Sequence, residues 1–315
     1  MPELPEVQTT VNGLKNSLVG LKIKDIWTDL AVKKPKRKDY NDTLKSVVFF
    51  KKFKKNVINH KIIGSSRRAK NVLIHLANSS TKHRADSKTI LIHMKMTGHL
   101  LYGKYKKVGD KWQPAEIGPL QDPYNRFIHA VFTLSNGKHL VFCDTRKFGK
   151  ITLLDSPIEK SPHLSSLGPE PLDKDFNLVK FSDRLFKRPN GLIKIVLMDQ
   201  VIIAGIGNIY SDEILWMAGI HPEERVKNIP KIKIKEIFKA MKIILKKGID
   251  FGGDSMSDYR NLLGEKGNFQ HHHNAYRRKG EHCKKRGCNG IILRKVVGSR
   301  SAHYCSKHQK IVIRL

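Results

Sequence analysis

Acidic residues are scarce in this chain of 315: 28 Asp and Glu stand against 60 Lys and Arg, a formal charge of +32 with histidine neutral. So large an excess excludes a charge-balanced surface and favours a polyanionic partner bound by counterion release, nucleic acid ahead of an anionic membrane surface or of a merely basic protein with no such partner. Long apolar runs are also missing. Runs such as Val201-Ile202-Ile203-Ala204 fall far short of the ~20 residues that cross a bilayer, and the first residues do not join a basic stretch to an apolar one. A cytoplasmic monomer without a membrane partner is the expectation. Proline is sparse, at 13, while 39% of residues are apolar, enough for packed cores in about two domains and too many for wholesale disorder. Only four cysteines occur, at 143, 283, 288 and 305. Three of them crowd together near one end, which argues for a metal site over a disulfide framework.

What is present has a clear order. Leu4, Val7, Val11, Leu14 and Leu18 recur at helical spacing, with Pro5 tolerable in a first turn and Gly20 a plausible stop. From about Ile23 to Leu154 the pattern becomes short strands, among them Val72 to Leu76, Thr89 to Met94, and Ala130 to Leu134 joined through Asn136-Gly137 to His139 to Phe142. Strands without regularly alternating helices predict an antiparallel sandwich or barrel. Lys33 to Lys38, Lys51 to Lys55 and Gly103 to Asn125 read as surface loops, and a Ser, Pro and Gly shift over 156–175 reads as a linker. Beyond it, Ile234, Ile237, Phe238, Met241, Ile244 and Leu245 form the apolar face of a helix whose lysines form a solvated one. Cys143, within a strand pattern, reads as a small buried hydrophobe.

Cys283-x4-Cys288, sixteen further residues and Cys305-x2-His308 make two paired ligand knuckles around a hairpin-sized loop. A hairpin has little core of its own, and one Zn²⁺ held by three thiolates and an imidazole supplies folding energy directly. With all four positions filled by protein the site is structural. His303 and His282 are alternative fourth ligands; only His308 gives the two-residue knuckle spacing. His271-His272-His273 reads as a polar loop.

Separate segments resemble, in order, the signatures of the formamidopyrimidine-DNA glycosylases: Met1-Pro2-Glu3-Leu4-Pro5-Glu6-Val7, Arg67-Arg68-Ala69-Lys70, Met96-Thr97-Gly98, Asp144-Thr145-Arg146-Lys147-Phe148-Gly149, Leu167 to Leu172, Leu197-Met198-Asp199, Gly205 to Tyr210 and the cysteine hairpin. The resemblance implies an α+β multidomain protein: an N-terminal β-sandwich with a leading helix (1–155), a linker (156–175), a helix-two-turns-helix domain (176–265), and a lesion loop with a zinc-finger β-hairpin (266–315). It implies a bifunctional enzyme that excises oxidised purines from damaged double-stranded DNA and cuts the backbone at the abasic site.

The chemistry fits that implication. Once Met1 is removed, Pro2 is a terminal secondary amine; such amines titrate at roughly 7.7–8, so a useful fraction is unprotonated near neutrality. It can attack sugar C1′ as the base departs and give a cationic iminium that acidifies the C2′ protons, while Glu3, adjacent in sequence, could protonate the sugar oxygen or shuttle protons. Glu6 matches a position that orients the site, although a first-turn carboxylate facing the helix dipole explains it almost as well. Lys70 matches a hairpin lysine that contacts phosphate and assists chemistry. Met96, Arg146 and Phe148 match the plug, the cation and the wedging ring that fill a flipped base's void; without the family Met96 would read as core. Asn208 reads as a helix N-cap after Gly205 and Gly207. With Lys194 and Arg300 it matches phosphate-binding positions, and Glu213 matches a carboxylate near the damaged nucleotide. Three departures stand out: His308 where most relatives have cysteine, the longer Cys283-x4-Cys288 spacing, and Phe269-Gln270 with the His triplet in 264–276. The rivals are the endonuclease VIII-like branch for oxidised pyrimidines, against which Arg146 and Phe148 in one loop argue, and a non-catalytic zinc-dependent nucleic-acid binder, against which Pro2, Glu3 and Lys70 argue.

Overall fold

The computed structural model describes residues 1–77 and 87–311, and the chain packs as two compact units. The first unit comprises residues 1–165 and 251–268. Its leading helix α1 (Leu4–Leu18) buries Leu4, Val7, Val11, Leu14 and Leu18 along one face, each contributing roughly 1.5–3 kcal/mol on leaving water. The strands β1 (Ile23–Thr28), β2 (Lys61–Arg68), β3 (Asn71–Ala77), β4 (Lys88–His93), β5 (His99–Gly103), β6 (Tyr105–Val108), β7 (Lys111–Pro114), β8 (Ile128–Leu134), β9 (His139–Cys143) and β10 (Lys150–Asp155) follow, with helix α2 (Val47–Val57) after β1. Two four-stranded sheets, ordered β1-β8-β9-β5 and β10-β4-β3-β2, are antiparallel throughout. Their inner residues, including Ile26, Phe132 and Phe142 from one sheet and Ile62, Val72 and Ile92 from the other, share one core with α1. This is the predicted sandwich with its leading helix.

Two loop expectations are corrected. Lys51 to Lys55 belong to α2, because Phe53 and Val57 supply a buried helical stripe and Ser46 caps the Phe49 amide, so the lysines ride the outer face of a helix. Within Gly103 to Asn125, β6 and β7 pair as a hairpin whose Trp112 packs against the outer face of a sheet. Cys143 is fully buried in that outer cluster, as expected.

The second unit comprises residues 166–250 and 269–311 of the described chain. It holds helices α3 (Leu178–Leu185), α4 (Ile193–Met198), α5 (Asn208–Ala218) and α6 (Lys231–Asp250), then the hairpin β11 (Ile292–Val297) and β12 (Arg300–Cys305). Ile234, Ile237, Met241, Ile244 and Leu245 are buried along α6 as its periodicity predicts. Segment 251–268 packs with the first unit although α6 before it belongs to the second. Among the described residues no helix is long and apolar enough to cross a membrane.

Candidate active site, nucleic-acid contacts and metal centre

In the first unit the chain start is built into the core. Pro2 is buried and Glu3 is 2% exposed. Glu6, one turn on, takes the Glu3 backbone amide on Oε2 at 2.7 Å and the Asp254 amide on Oε1 at 2.8 Å, while the Tyr259 hydroxyl donates to its carbonyl at 3.0 Å. Gly253 admits this contact, since a Cβ there would sit 2.9 Å from Glu6 Cγ and its backbone has φ +84°. Lys70 lies in the β2–β3 turn and is 6% exposed. Arg67 ties that turn to α1, donating through Nε to Gln8 Oε1 and through Nη1 to the Ala69 carbonyl, both at 3.0 Å.

His93 was given no role from the sequence. It closes β4 opposite Asn71, the residue after Lys70, and its Nδ1 accepts the Lys95 amide at 3.0 Å. Burial, with Lys95, Lys70 and Lys150 nearby, pushes its pKa down to about 3, so it is a neutral imidazole. The available signal was a histidine ending a strand just before Met94-Lys95-Met96.

Met96 and Phe148 are exposed apolar side chains, at 40% and 41%, on adjacent loops. Asp144, itself fully buried, joins those loops: its carboxylate accepts the Thr97 hydroxyl, the Arg146 amide at 3.2 Å and the Gly149 amide at 2.7 Å. A Cβ on Gly149 would lie 2.3 Å from the Phe142 ring, so only glycine fits there. The result is an exposed Arg146 whose guanidinium carbon sits 4.6 Å from the Phe148 ring centroid, a preformed cation-π pair. An exposed aromatic and an exposed methionine on loops joined through Asp144 suit insertion into a base stack better than they suit water. Asp144 lay inside the quoted motif and carried no role there.

In the second unit, Gly207 and not Asn208 is the N-cap of α5, which corrects the sequence reading. Asn208 opens the helix, donates Nδ2 to Ser301 Oγ at 3.3 Å, and leaves Oδ1 buried without a hydrogen-bond partner among the described residues. Ser301 follows the exposed Arg300 at the β11–β12 turn, so this contact sets Asn208 beside Arg300. Lys194 is placed differently from a surface phosphate ligand. It is 0% exposed and its ammonium meets Asp212 at 2.5 Å and Ser211 Oγ at 3.2 Å. Asp212 in turn accepts the His303 amide at 2.9 Å and Nδ1 at 3.0 Å. Glu213, also fully buried, gathers the amides of Asn274, Ala275 and Tyr276 at 2.8–3.1 Å and thereby anchors that loop. The His triplet divides: His271 is exposed, whereas His273 is buried, its ring edge-on to Phe269 and Tyr276.

The metal ligands assemble. Donor atoms of Cys283, Cys288, Cys305 and His308 all lie within 4.8 Å of one another. Cys283 Sγ and Cys288 Sγ lie 3.5 and 3.6 Å from His308 Nδ1, and Cys288 Sγ 3.5 Å from Cys305 Sγ. A tetrahedron with Zn–S near 2.3 Å and Zn–N near 2.0 Å has edges of about 3.5–3.8 Å, so the donor set fits Zn²⁺ in size and softness. His308 Nε2 faces the Trp216 carbonyl at 3.1 Å, which directs Nδ1 to the centre. His303 is engaged with Asp212 and is not a ligand in this arrangement, which removes one alternative.

Comparison with known proteins decides the family. The formamidopyrimidine-DNA glycosylase N-terminal domain matches residues 1–151 and the formamidopyrimidine-DNA glycosylase H2TH domain residues 167–260. The chain belongs to the formamidopyrimidine-DNA glycosylase family. It is 35% identical over 309 residues to the formamidopyrimidine-DNA glycosylase of Herpetosiphon aurantiacus, covering 97% of this chain and 98% of the relative. With that of Bacillus subtilis it shares 33% over 314 residues, covering 98% and 99%. Among solved structures it is similar to the Lactococcus lactis Fpg in complex with DNA containing an abasic site (TM-score 0.78, 28% identity, 98% of this chain and 99% of that one). It is similar also to MutM in complex with DNA containing carbocyclic 8-oxo-G (TM-score 0.77, 28% identity, 98% and 100%). The resemblance met in the sequence is thus borne out over nearly the whole chain.

Proposed function

We propose that this chain, a DNA glycosylase acting on damaged DNA, excises oxidised purines and then cleaves the strand as an abasic-site lyase through an N-terminal proline. The observation that carries this reading is the immobilised chain start: Glu6 clamps the Glu3 amide and so holds Pro2 and Glu3 in one buried position. A flexible terminus would lose the advantage of a preoriented nucleophile.

With Met1 removed, the Pro2 nitrogen attacks C1′ of the damaged nucleotide. The C1′–N bond breaks with its electrons leaving on the base, which takes up the N–H proton that Pro2 sheds, and the nitrogen lone pair then opens the C1′–O4′ bond as Glu3 gives a proton to O4′. The nitrogen now holds C1′ as an iminium. Loss of a C2′ proton sends electrons toward the iminium, and their return expels the 3′-phosphate; a second elimination expels the 5′-phosphate. Lys70 supplies positive charge beside this chemistry. Asn208 and Arg300 hold the flanking phosphates, Met96 and Phe148 fill the gap left by the base, and Arg146 donates to the orphaned partner. Zinc held by Cys283, Cys288, Cys305 and His308 stabilises the hairpin that presents Arg300. That relatives of this chain have been crystallised with abasic-site and 8-oxo-G DNA supports this substrate class.

Borohydride reduction during turnover on an 8-oxoguanine duplex tests the reading. A covalent protein–DNA adduct mapping to Pro2 is expected; an adduct on Lys70, or faster excision of oxidised pyrimidines than purines, overturns it.

A further inference from the structure

Lys147 stands between the two wedge residues, and its backbone is unusual: φ is +55°, a left-handed conformation that a non-glycine residue holds only when its surroundings impose it. The turn lies between Arg146 and the Phe148 ring that its guanidinium faces. Asp144 controls one side, its carbonyl accepting the Lys147 amide at 3.1 Å. The other side is controlled from a distant segment. Lys45 Nζ donates to the Lys147 carbonyl at 2.7 Å and rests 3.6 Å from the Tyr40 ring centroid. The Lys147 ammonium reaches Asp29 at 3.4 Å.

Lys45 is fixed before it makes this bond. Its carbonyl accepts the Val32 amide at 2.9 Å, and the neighbouring Leu44 amide donates to Ile151 in β10 at 3.0 Å. The residue is only 6% exposed. A lysine this enclosed, bonded to one carbonyl and seated on an aromatic face, is a strut and not a solvated charge.

We propose that Lys45 is the positioning residue of the Arg146 and Phe148 wedge: by holding Lys147 in its left-handed turn it sets the wedge before DNA arrives, and so governs discrimination of the base opposite the lesion. The proposal rests on reading Arg146 and Phe148 as wedge residues.

Burial lowers Lys45 to about 8, with Asp144 and Asp39 opposing the shift and Lys150 and Arg37 reinforcing it. Those four groups, with the Tyr40 ring and Lys147, face the ammonium. Raising pH from 7 to 9 therefore removes the strut's charge and weakens its bond.

The test uses the full chain in two assays. One measures excision of 8-oxoguanine opposite cytosine against adenine. The other measures fluorescence of a 2-aminopurine placed beside a tetrahydrofuran abasic analogue, which brightens when the wedge unstacks it and needs no catalysis. Lys45→Met should lower both the cytosine preference and the unstacking amplitude by roughly three- to tenfold, the span of one hydrogen bond, and Lys45→Arg should restore them. On a Lys147→Gly background, where the left-handed turn is free of strain, Lys45→Met should change both by less than about twofold. Should Lys45→Met not fold, the pH arm decides: the unstacking amplitude falls from pH 7 to 9 in the parent and stays level in Lys45→Arg. Unchanged preference and amplitude in Lys45→Met, or an equal loss on both backgrounds, or a flat pH response in the parent, overturns the proposal. So does a salt dependence that drops by about 0.9 in log–log slope, which would make Lys45 a phosphate ligand. A parent that excises 8-oxoguanine while Lys45→Met keeps its preference and unstacking amplitude sinks only this inference; a parent that neither excises nor unstacks sinks the functional reading with it.

Discussion

The Glu6 carboxylate closes on the backbone amide of Glu3 at 2.7 Å and on that of Asp254 at 2.8 Å, so a single side chain joins the chain start to a segment about 250 residues later. Both of its oxygens accept, which only a carboxylate does without conflict. Glu6→Gln turns one acceptor into a donor facing an amide N–H. We expect a loss of about 1–3 kcal/mol, the cost of a buried hydrogen bond left unmade, read as a fall in thermal midpoint. Adduct formation at Pro2 should slow with it. A variant as stable and as fast as the parent would show that the clamp does not hold the nucleophile.

Metal content provides the second expectation. The parent should carry one zinc per chain in native mass measurement, and Cys305→Ser should lose zinc and DNA affinity together, because β12 carries both that ligand and Arg300. His308→Ala should lose zinc as well. Retention of one zinc in His308→Ala would move the fourth ligand to His282.

The α1 stripe, the Asn136-Gly137 hairpin and the metal knuckles were legible in the sequence because each depends on local spacing: a period of 3.6, a turn dipeptide, paired ligands. The assignment of Met96, Arg146 and Phe148 as a proposed wedge needed the family motif, since Met96 alone looks like core. What stayed hidden is long-range pairing. Nothing local distinguishes Lys45 from its neighbours in a chain with 60 basic residues, and its role appears only when Lys147 comes within 2.7 Å. The charge of Lys51 to Lys55 suggests a loop because it masks Phe53 and Val57 on the inner face of α2. The burial of Lys194 was invisible because its partner Asp212 lies on another helix.

His93 makes stability acid-sensitive. Its folded pKa, about 3, lies below the ordinary 6.5, so between those values the unfolded chain binds more protons than the folded one. The stability it allows is present above pH 6.5 and is lost as pH falls toward 3. His93→Asn keeps a side-chain acceptor for the Lys95 amide and does not titrate. Denaturant unfolding at several pH values should show the parent losing ground to this variant below pH 6.5; parallel curves would mean that the imidazole is not held neutral.

The family resemblance assigns both Lys194 and Arg300 to phosphate, yet the two side chains differ in their exposure. Arg300 is exposed at a hairpin turn, whereas Lys194 is fully enclosed with Asp212, and Asp212 also holds the His303 amide and ring. Through that chain of contacts Lys194 links α4 and α5 to the strand that carries Arg300 and Ser301, and Ser301 holds Asn208. Arg300→Ala should therefore lower the log–log salt slope of DNA binding by about 0.9, one phosphate's worth of counterions, and leave the fold intact. Lys194→Met should act in the opposite way. It leaves Asp212 buried without its cation, so stability should fall by about 3–5 kcal/mol, while the salt slope of the folded fraction stays at the parent value. Asp212→Asn with Lys194→Met removes both charges and should recover part of that stability, because an enclosed neutral amide costs less than an enclosed carboxylate. A slope that drops by about 0.9 in Lys194→Met, with stability unchanged, would place the ammonium on a phosphate after all and require α4 or α5 to rearrange when DNA binds.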